Sequence, residues 1–82
     1  KEKYSKFKFV ANDFGISAIE LYPRIREKPY FRIHYRPRAP QWLKDEFKTW
    51  PTFRNANEVG SNFYGDPMVC AKALAQLLAR HR

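Results

Sequence analysis

The sequence is poor in the residues that build covalently bridged and metal-held folds, with one cysteine, two histidines and three glycines. A lone Cys70 excludes an internal disulfide and any zinc site built from cysteines. The chain also lacks an apolar run of about 18–20 residues, as a membrane helix requires, and a signal-peptide pattern. We therefore expect no membrane contact and an intracellular protein of the cytoplasm, nucleoid or nucleus.

Catalytic and cofactor motifs are equally scarce. The chain has no Gly-X-Ser-X-Gly segment, no phosphate-cradling glycine loop, and neither the Gly-X-X-Gly loop nor the aromatic motif of common RNA-binding modules. His34 and His81 have no metal-ligand spacing to Cys70 or to a carboxylate. We assign no metal, cofactor or catalytic residue. The enzyme alternative is a small ribonuclease that uses His34 for proton transfer and Arg32 and Arg36 to stabilise a charged transition state.

Positive charge is abundant. The 82 residues include 16 Lys and Arg against 8 Asp and Glu, for a net charge of +8. A chain of this length forms one small domain, so we treat residues 1–82 as a single basic domain. It begins at Lys1 rather than Met, as a processed product or an excised domain would. Such a charge excess indicates an anionic partner, most often nucleic acid.

Alternation in residues 30–36 is the strongest local pattern. In a strand, successive side chains point to opposite faces. One face then carries Phe31, Ile33 and Tyr35, and the other carries Tyr30, Arg32, His34 and Arg36. Residues 6–11 and 16–22 alternate in the same way, with turn-forming residues 12–15 between them. Short connections between the three segments favour an antiparallel meander.

Two helices follow. Leu43, Phe47 and Trp50 recur at helical spacing within residues 40–50, and Pro51 ends that helix. Residues 52–65 have no period and are predicted as a long loop, in which Phe63 and Tyr64 could add a short strand. Asp66 as N-cap and Pro67 at the first helical position begin the last helix. Its predicted apolar stripe consists of Val69, Cys70, Ala73, Leu74 and Leu77.

These elements predict an α+β fold: a three-stranded antiparallel meander with two helices packed on one face, the other face being open and basic. The candidate binding residues share exposure on that open face, on a proline-flanked rim or in the 52–65 loop. They are Lys6, Lys8, Tyr22, Arg24, Tyr30, Arg32, His34, Arg36, Arg38, Arg54, Asn55 and Asn57.

Cations beside tyrosines suit nucleic acid, because Lys and Arg displace counterions from the phosphate backbone while aromatic rings stack on bases. Duplex DNA is the other candidate ligand, since a major groove admits a β-ribbon. The residues distinguish neither DNA from RNA nor one strand from two, and they leave the oligomeric state open. The alternative function is protein binding: a small interaction or inhibitor module whose basic face binds an acidic protein surface.

Overall fold

Our computed structural model of the protein describes the backbone of residues 6–7, 11–25 and 28–82, and the side chains of residues 11–22 and 30–82. These described residues form five strands and two helices, with a turn of 3-10 helix at Asn12–Phe14. The elements are β1 (Lys6–Phe7), β2 (Ile16–Ile25), β3 (Lys28–Tyr35), α1 (Gln41–Lys48), β4 (Phe53–Asn57), β5 (Gly60–Tyr64) and α2 (Pro67–Arg80).

All the strands join one antiparallel sheet in the order β1-β2-β3-β5-β4. The predicted α+β class, the antiparallel sheet and the two helices are confirmed. The predicted strand number is wrong, because the segment assigned to a loop contains the hairpin β4–β5. Asn57 closes this hairpin: its Oδ1 accepts a hydrogen bond from the Val59 N–H at 2.9 Å, which replaces a backbone turn bond.

The register places one alternating set of side chains on the helix side. Ile19 lies opposite Ile33, and Phe31 lies between Leu21 and Phe63. Ile19, Ile33 and Phe63 are fully buried there. The predicted pairing of residues 16–22 with residues 29–36, with isoleucine and phenylalanine inward, is therefore confirmed.

Both helices pack on that same face. Leu43 and Phe47 of α1 are fully buried, and Phe47 contacts Tyr35 and Phe63 with ring centroids 6.1 and 5.7 Å apart. Leu74 and Leu78 of α2 complete the core. Because both helices lie on one side, the opposite side of the sheet is left without a helical layer in the described part of the chain.

The last helix begins as predicted but turns a slightly different face inward. Asp66 accepts a hydrogen bond from the Met68 N–H at 2.9 Å, and Pro67 occupies the first helical position. The buried stripe is Cys70, Leu74, Leu77 and Leu78, at spacings of four, seven and eight residues. Val69 was predicted in the stripe but is 65% exposed, and Ala73 is also exposed, because both lie on the flank of that stripe. Burial raises the pKa of the Cys70 thiol to about 12, so it stays protonated and unreactive at neutral pH.

Candidate functional site

The sheet face turned away from the helices is built from three cross-strand rows. The first joins Tyr22, Tyr30 and Tyr64; the second joins Glu20, Arg32, Asn62 and Asn55; the third joins Ala18, His34, Gly60 and Asn57. A bulge between Phe53 and Asn55 adds Arg54 to the same side, since its guanidinium lies against Tyr30 and Tyr64. We refer to these twelve residues as the uncovered face.

The tyrosines of the first row pack on their neighbours. The rings of Tyr22 and Tyr30 are stacked, with centroids 5.1 Å apart and planes 12° from parallel. On the β4 side, the Arg54 Cζ lies 5.0 Å from the Tyr30 centroid and 5.8 Å from the Tyr64 centroid, and its Nε donates to the Tyr64 hydroxyl at 3.2 Å. The Tyr30 ring thus packs on both Tyr22 and Arg54, and the hydroxyl groups of Tyr22 and Tyr64 are engaged by Glu20 and Arg54.

A carboxylate lies in the middle of the face. Glu20 is only 8% exposed. Its Oε1 accepts a hydrogen bond from the Tyr22 hydroxyl at 2.9 Å and lies 2.8 Å from Nε2 of His34. The imidazole of His34 is therefore oriented by a buried carboxylate, and the negative charge of Glu20 offsets part of the positive charge around it.

The environment of Tyr22 gives a testable pH dependence. Burial, the hydrogen bond to Glu20 and the charge of Glu20 together raise the pKa of Tyr22 to about 12, from its ordinary value of 10.0. Between these values the folded protein keeps a proton that the unfolded chain loses. The stabilisation from Tyr22 is thus fully present below pH 10 and is lost as the pH rises toward 12. In an alkaline titration, the tyrosinate absorbance of the wild type minus that of Tyr22→Phe reports Tyr22 alone. This difference should rise at a pH well above 10.0, the ordinary pKa of tyrosine.

The variant Glu20→Gln provides the control for that titration. It removes the negative charge beside Tyr22, so we expect the difference between it and Glu20→Gln/Tyr22→Phe to titrate at lower pH than in the wild-type background. A wild-type difference centred near pH 10, the ordinary value for tyrosine, would contradict the assigned environment.

The second and third rows hold an arginine within a set of amides. Arg32 donates from Nη2 to Oδ1 of Asn57 at 2.8 Å and from Nη1 to Oδ1 of Asn62 at 3.4 Å. Asn62 donates in turn from Nδ2 to Oδ1 of Asn55 at 2.6 Å. The oxygens of Asn55 and Asn57 accept hydrogen bonds within the protein, and both residues are exposed, so their Nδ2 groups are the donors that remain for a ligand.

The structure brings together seven of the sequence-predicted binding residues: Tyr22, Tyr30, Arg32, His34, Arg54, Asn55 and Asn57. Arg36 and Arg38 are exposed in the turn after β3, outside the strand register. Lys6 pairs through its backbone with Glu20, and Arg24 lies in β2, but their side chains and the whole of Lys8 lie outside the described residues.

Sequence reasoning missed Gly60, Asn62 and Tyr64 as members of the site. The signal that could have found them is a short alternation in residues 60–64, where Ser61 and Phe63 are buried on the helix side while Asn62 and Tyr64 lie on the uncovered face. Among the residues whose side chains are described, no group of three His, Cys, Asp or Glu could hold a metal ion.

A second surface lies on the helix side of the sheet. It is an apolar groove of about 400 Å³ between the turn after α1 and helix α2. Its lining is Phe31, Trp50, Pro51, Thr52, Tyr64, Gly65, Asp66, Val69, Cys70 and Ala73. Asp66 is the one charged residue in this lining, so the groove has no cation that could bind a polyanion.

Neither helix in the described part of the chain is long and apolar enough to cross a membrane. Comparisons of the chain with protein-family models, with curated proteins and with solved structures found no match. Its function has to be argued from the chemistry of its surface.

Proposed function

We propose that this protein binds nucleic acid through the uncovered face. The observation that carries the proposal is the convergence of four adjacent strands, which set Arg32 and Arg54 among amides and tyrosine hydroxyls on the side facing away from both helices. Fixed guanidinium groups surrounded by neutral donors suit a ligand rich in negatively charged acceptors. A nucleic-acid backbone is such a ligand.

The balance of donors and acceptors supports this assignment. Asn55 and Asn57 direct amide donors outward, and the guanidinium groups of Arg32 and Arg54 carry donors without acceptors. Glu20 is the one carboxylate among the described residues of the face, and it is buried against His34 and Tyr22. An incoming phosphate therefore meets donors, while the carboxylate lies below the surface.

Charge beyond the face acts in the same direction. Arg36 and Arg38 are exposed in the turn that follows β3, next to the end of the sheet where His34 and Asn57 lie. The whole chain carries +8. Such a field draws a polyanion toward the protein before any short-range contact forms, and the effect weakens as salt screens it.

The experiment is a salt-series titration by fluorescence anisotropy with single- and double-stranded DNA and RNA of mixed sequence. If Arg32 and Arg54 each neutralise one phosphate, the logarithm of the association constant K should fall linearly with the logarithm of the salt concentration. The slope should be about −1.4 or steeper on single strands and about −1.8 or steeper on duplex DNA. Absence of binding to every oligonucleotide at low salt would contradict the proposal.

Polyglutamate of matched charge serves as the comparison polyanion. Binding to polyglutamate without binding to oligonucleotides would support the acidic-protein alternative, which uses the same cations. The RNA arm also tests the ribonuclease alternative, for which the carboxylate-oriented imidazole of His34 is the supporting observation. RNA that is cleaved by the wild type but not by His34→Ala would assign that activity.

A further inference from the structure

We infer that the guanidinium plane of Arg32 is a stacking platform for an unpaired base, which makes single-stranded nucleic acid the ligand of the uncovered face. The inference rests on the proposed function and adds the class of nucleic acid to it. Three observations carry it: the absence of a side chain at Gly60, the in-plane hydrogen bonds of Arg32, and the packing of the neighbouring tyrosines on each other and on Arg54.

Gly60 is the residue beneath Arg32. A Cβ at this position would lie 2.6 Å from Nε, 2.8 Å from Cζ and 2.9 Å from Nη2 of Arg32, closer than real Cβ contacts come. Because the three distances are nearly equal, the guanidinium plane faces the glycine and lies flat over the β5 backbone. The backbone of Gly60 does not have a positive φ, so a Cβ here would meet the guanidinium without backbone strain, and the flexible end of the Arg32 side chain would have to move aside.

Hydrogen bonds fix the plane at its edges. Asn57 and Asn62 accept from Nη2 and Nη1. A guanidinium donates in its own plane, so these bonds hold the group by its edges and use neither face of the plane. Arginine planes held in this way stack on nucleobases.

The neighbouring tyrosines, in contrast, pack on other groups of the face. Tyr30 is stacked against Tyr22 and covered by Arg54, which also packs on Tyr64. Among the described residues of the uncovered face, no ring or cation is stacked on the plane of Arg32. A base in the interior of a duplex already has both faces covered by adjacent pairs, so Arg32 can stack along a strand only where the bases are unpaired.

The test compares Gly60→Ala and Arg32→Lys with the wild type. Gly60→Ala displaces the plane without changing any charge, and Arg32→Lys keeps the charge but removes the plane. Three probes are used: a single-stranded DNA of mixed sequence, its duplex, and an abasic strand with the same number of phosphates. Wild type should prefer the base-containing single strand to both others. Each variant should lose about fivefold or more on that strand and less than about twofold on the abasic strand, with an unchanged salt slope.

A double-mutant cycle tests whether Gly60→Ala lowers the affinity by displacing Arg32. In the Arg32→Ala background, Gly60→Ala should cause no further loss of affinity, since there is no plane left to displace. A Gly60→Ala effect that persists in that background would overturn the inference. Thermal melts report folding, and Arg32→Lys leaves the backbone untouched if Gly60→Ala proves unstable.

The remaining outcomes separate this inference from the proposed function. If wild type binds oligonucleotides but both variants bind as it does, or if it binds the abasic strand or the duplex as tightly as the single strand, the stacking platform is refuted while nucleic-acid binding stands. If wild type binds none of the probes at low salt, both fail.

Discussion

Replacing Phe63 with alanine should lower the free energy of unfolding by about 3–5 kcal/mol. Phe63 is fully buried in β5, a strand lying between β3 and β4. Its ring contacts those of Phe31, Phe47, Trp50 and Phe53 at centroid distances of 5.3, 5.7, 5.4 and 5.9 Å. Truncation leaves a cavity where the strands and α1 meet. Urea unfolding followed by tryptophan fluorescence measures the change.

The matched control is Val59→Ala in the adjacent hairpin turn. Val59 is 45% exposed, so its truncation should change stability by no more than about 0.5 kcal/mol. If Phe63→Ala leaves too little folded protein to measure, Phe63→Leu retains part of the volume and should cost about 1–2 kcal/mol. A Phe63→Ala effect as small as that of Val59→Ala would show that β5 is not a core strand.

The elements with strong local signals were predicted well. Residues 16–22 and 30–35 combine alternation with aromatic and β-branched side chains, so their strand character and facing follow from the residues alone. The start of α2 was equally clear, because Asp66 and Pro67 satisfy the first turn of a helix in a way few other residue pairs do.

Strand β4 was missed, and β5 was raised only as a short strand at Phe63 and Tyr64, because the contacts that stabilise this hairpin are remote in sequence. Asn55 and Asn62 pair through their side chains rather than by apolar packing, and Asn is uncommon in strands. Strand β5 is completed by pairing with β3, so that Phe63 meets Phe31 across a long chain separation. No pattern within residues 52–65 indicates that β3, so distant in the chain, is the pairing partner of β5.

The residues that share the uncovered face were easier to predict than the contacts they make there. Tyr30, Arg32 and His34 follow from alternation in a single strand, and Arg54, Asn55 and Asn57 were proposed as loop contacts. Which surface each group presents depends on cross-strand neighbours: Arg54 covers the tyrosine rings, and Gly60 lets Arg32 lie flat. Those relations exist only once β4 and β5 have joined the sheet.

Replacing both Arg32 and Arg54 with alanine should weaken binding to single-stranded nucleic acid by about 100-fold at low salt, because each substitution removes a charge-assisted hydrogen bond worth about tenfold in affinity. The slope of log K against log salt should flatten by about 1.4 units, because two phosphates are no longer neutralised. Anisotropy titrations across a salt series measure both quantities.

The matched control removes the same charge from the other side of the molecule. Lys72 and Arg80 are exposed on α2, which packs against the opposite face of the sheet. Lys72→Ala/Arg80→Ala lowers the net charge equally, so any loss of affinity it causes measures the long-range field alone. That loss should be about twofold near physiological salt, where the screening length is about 8 Å.

The comparison of these two double variants decides where the ligand binds. Loss of Arg54 also removes its packing on Tyr30 and Tyr64, worth about 0.5–1 kcal/mol, so a thermal melt must show that Arg32→Ala/Arg54→Ala remains folded. If both double variants weaken binding equally, only net charge matters and the uncovered face is not the site. Arg36→Ala/Arg38→Ala would then test the exposed turn after β3, where two further cations lie outside the strands.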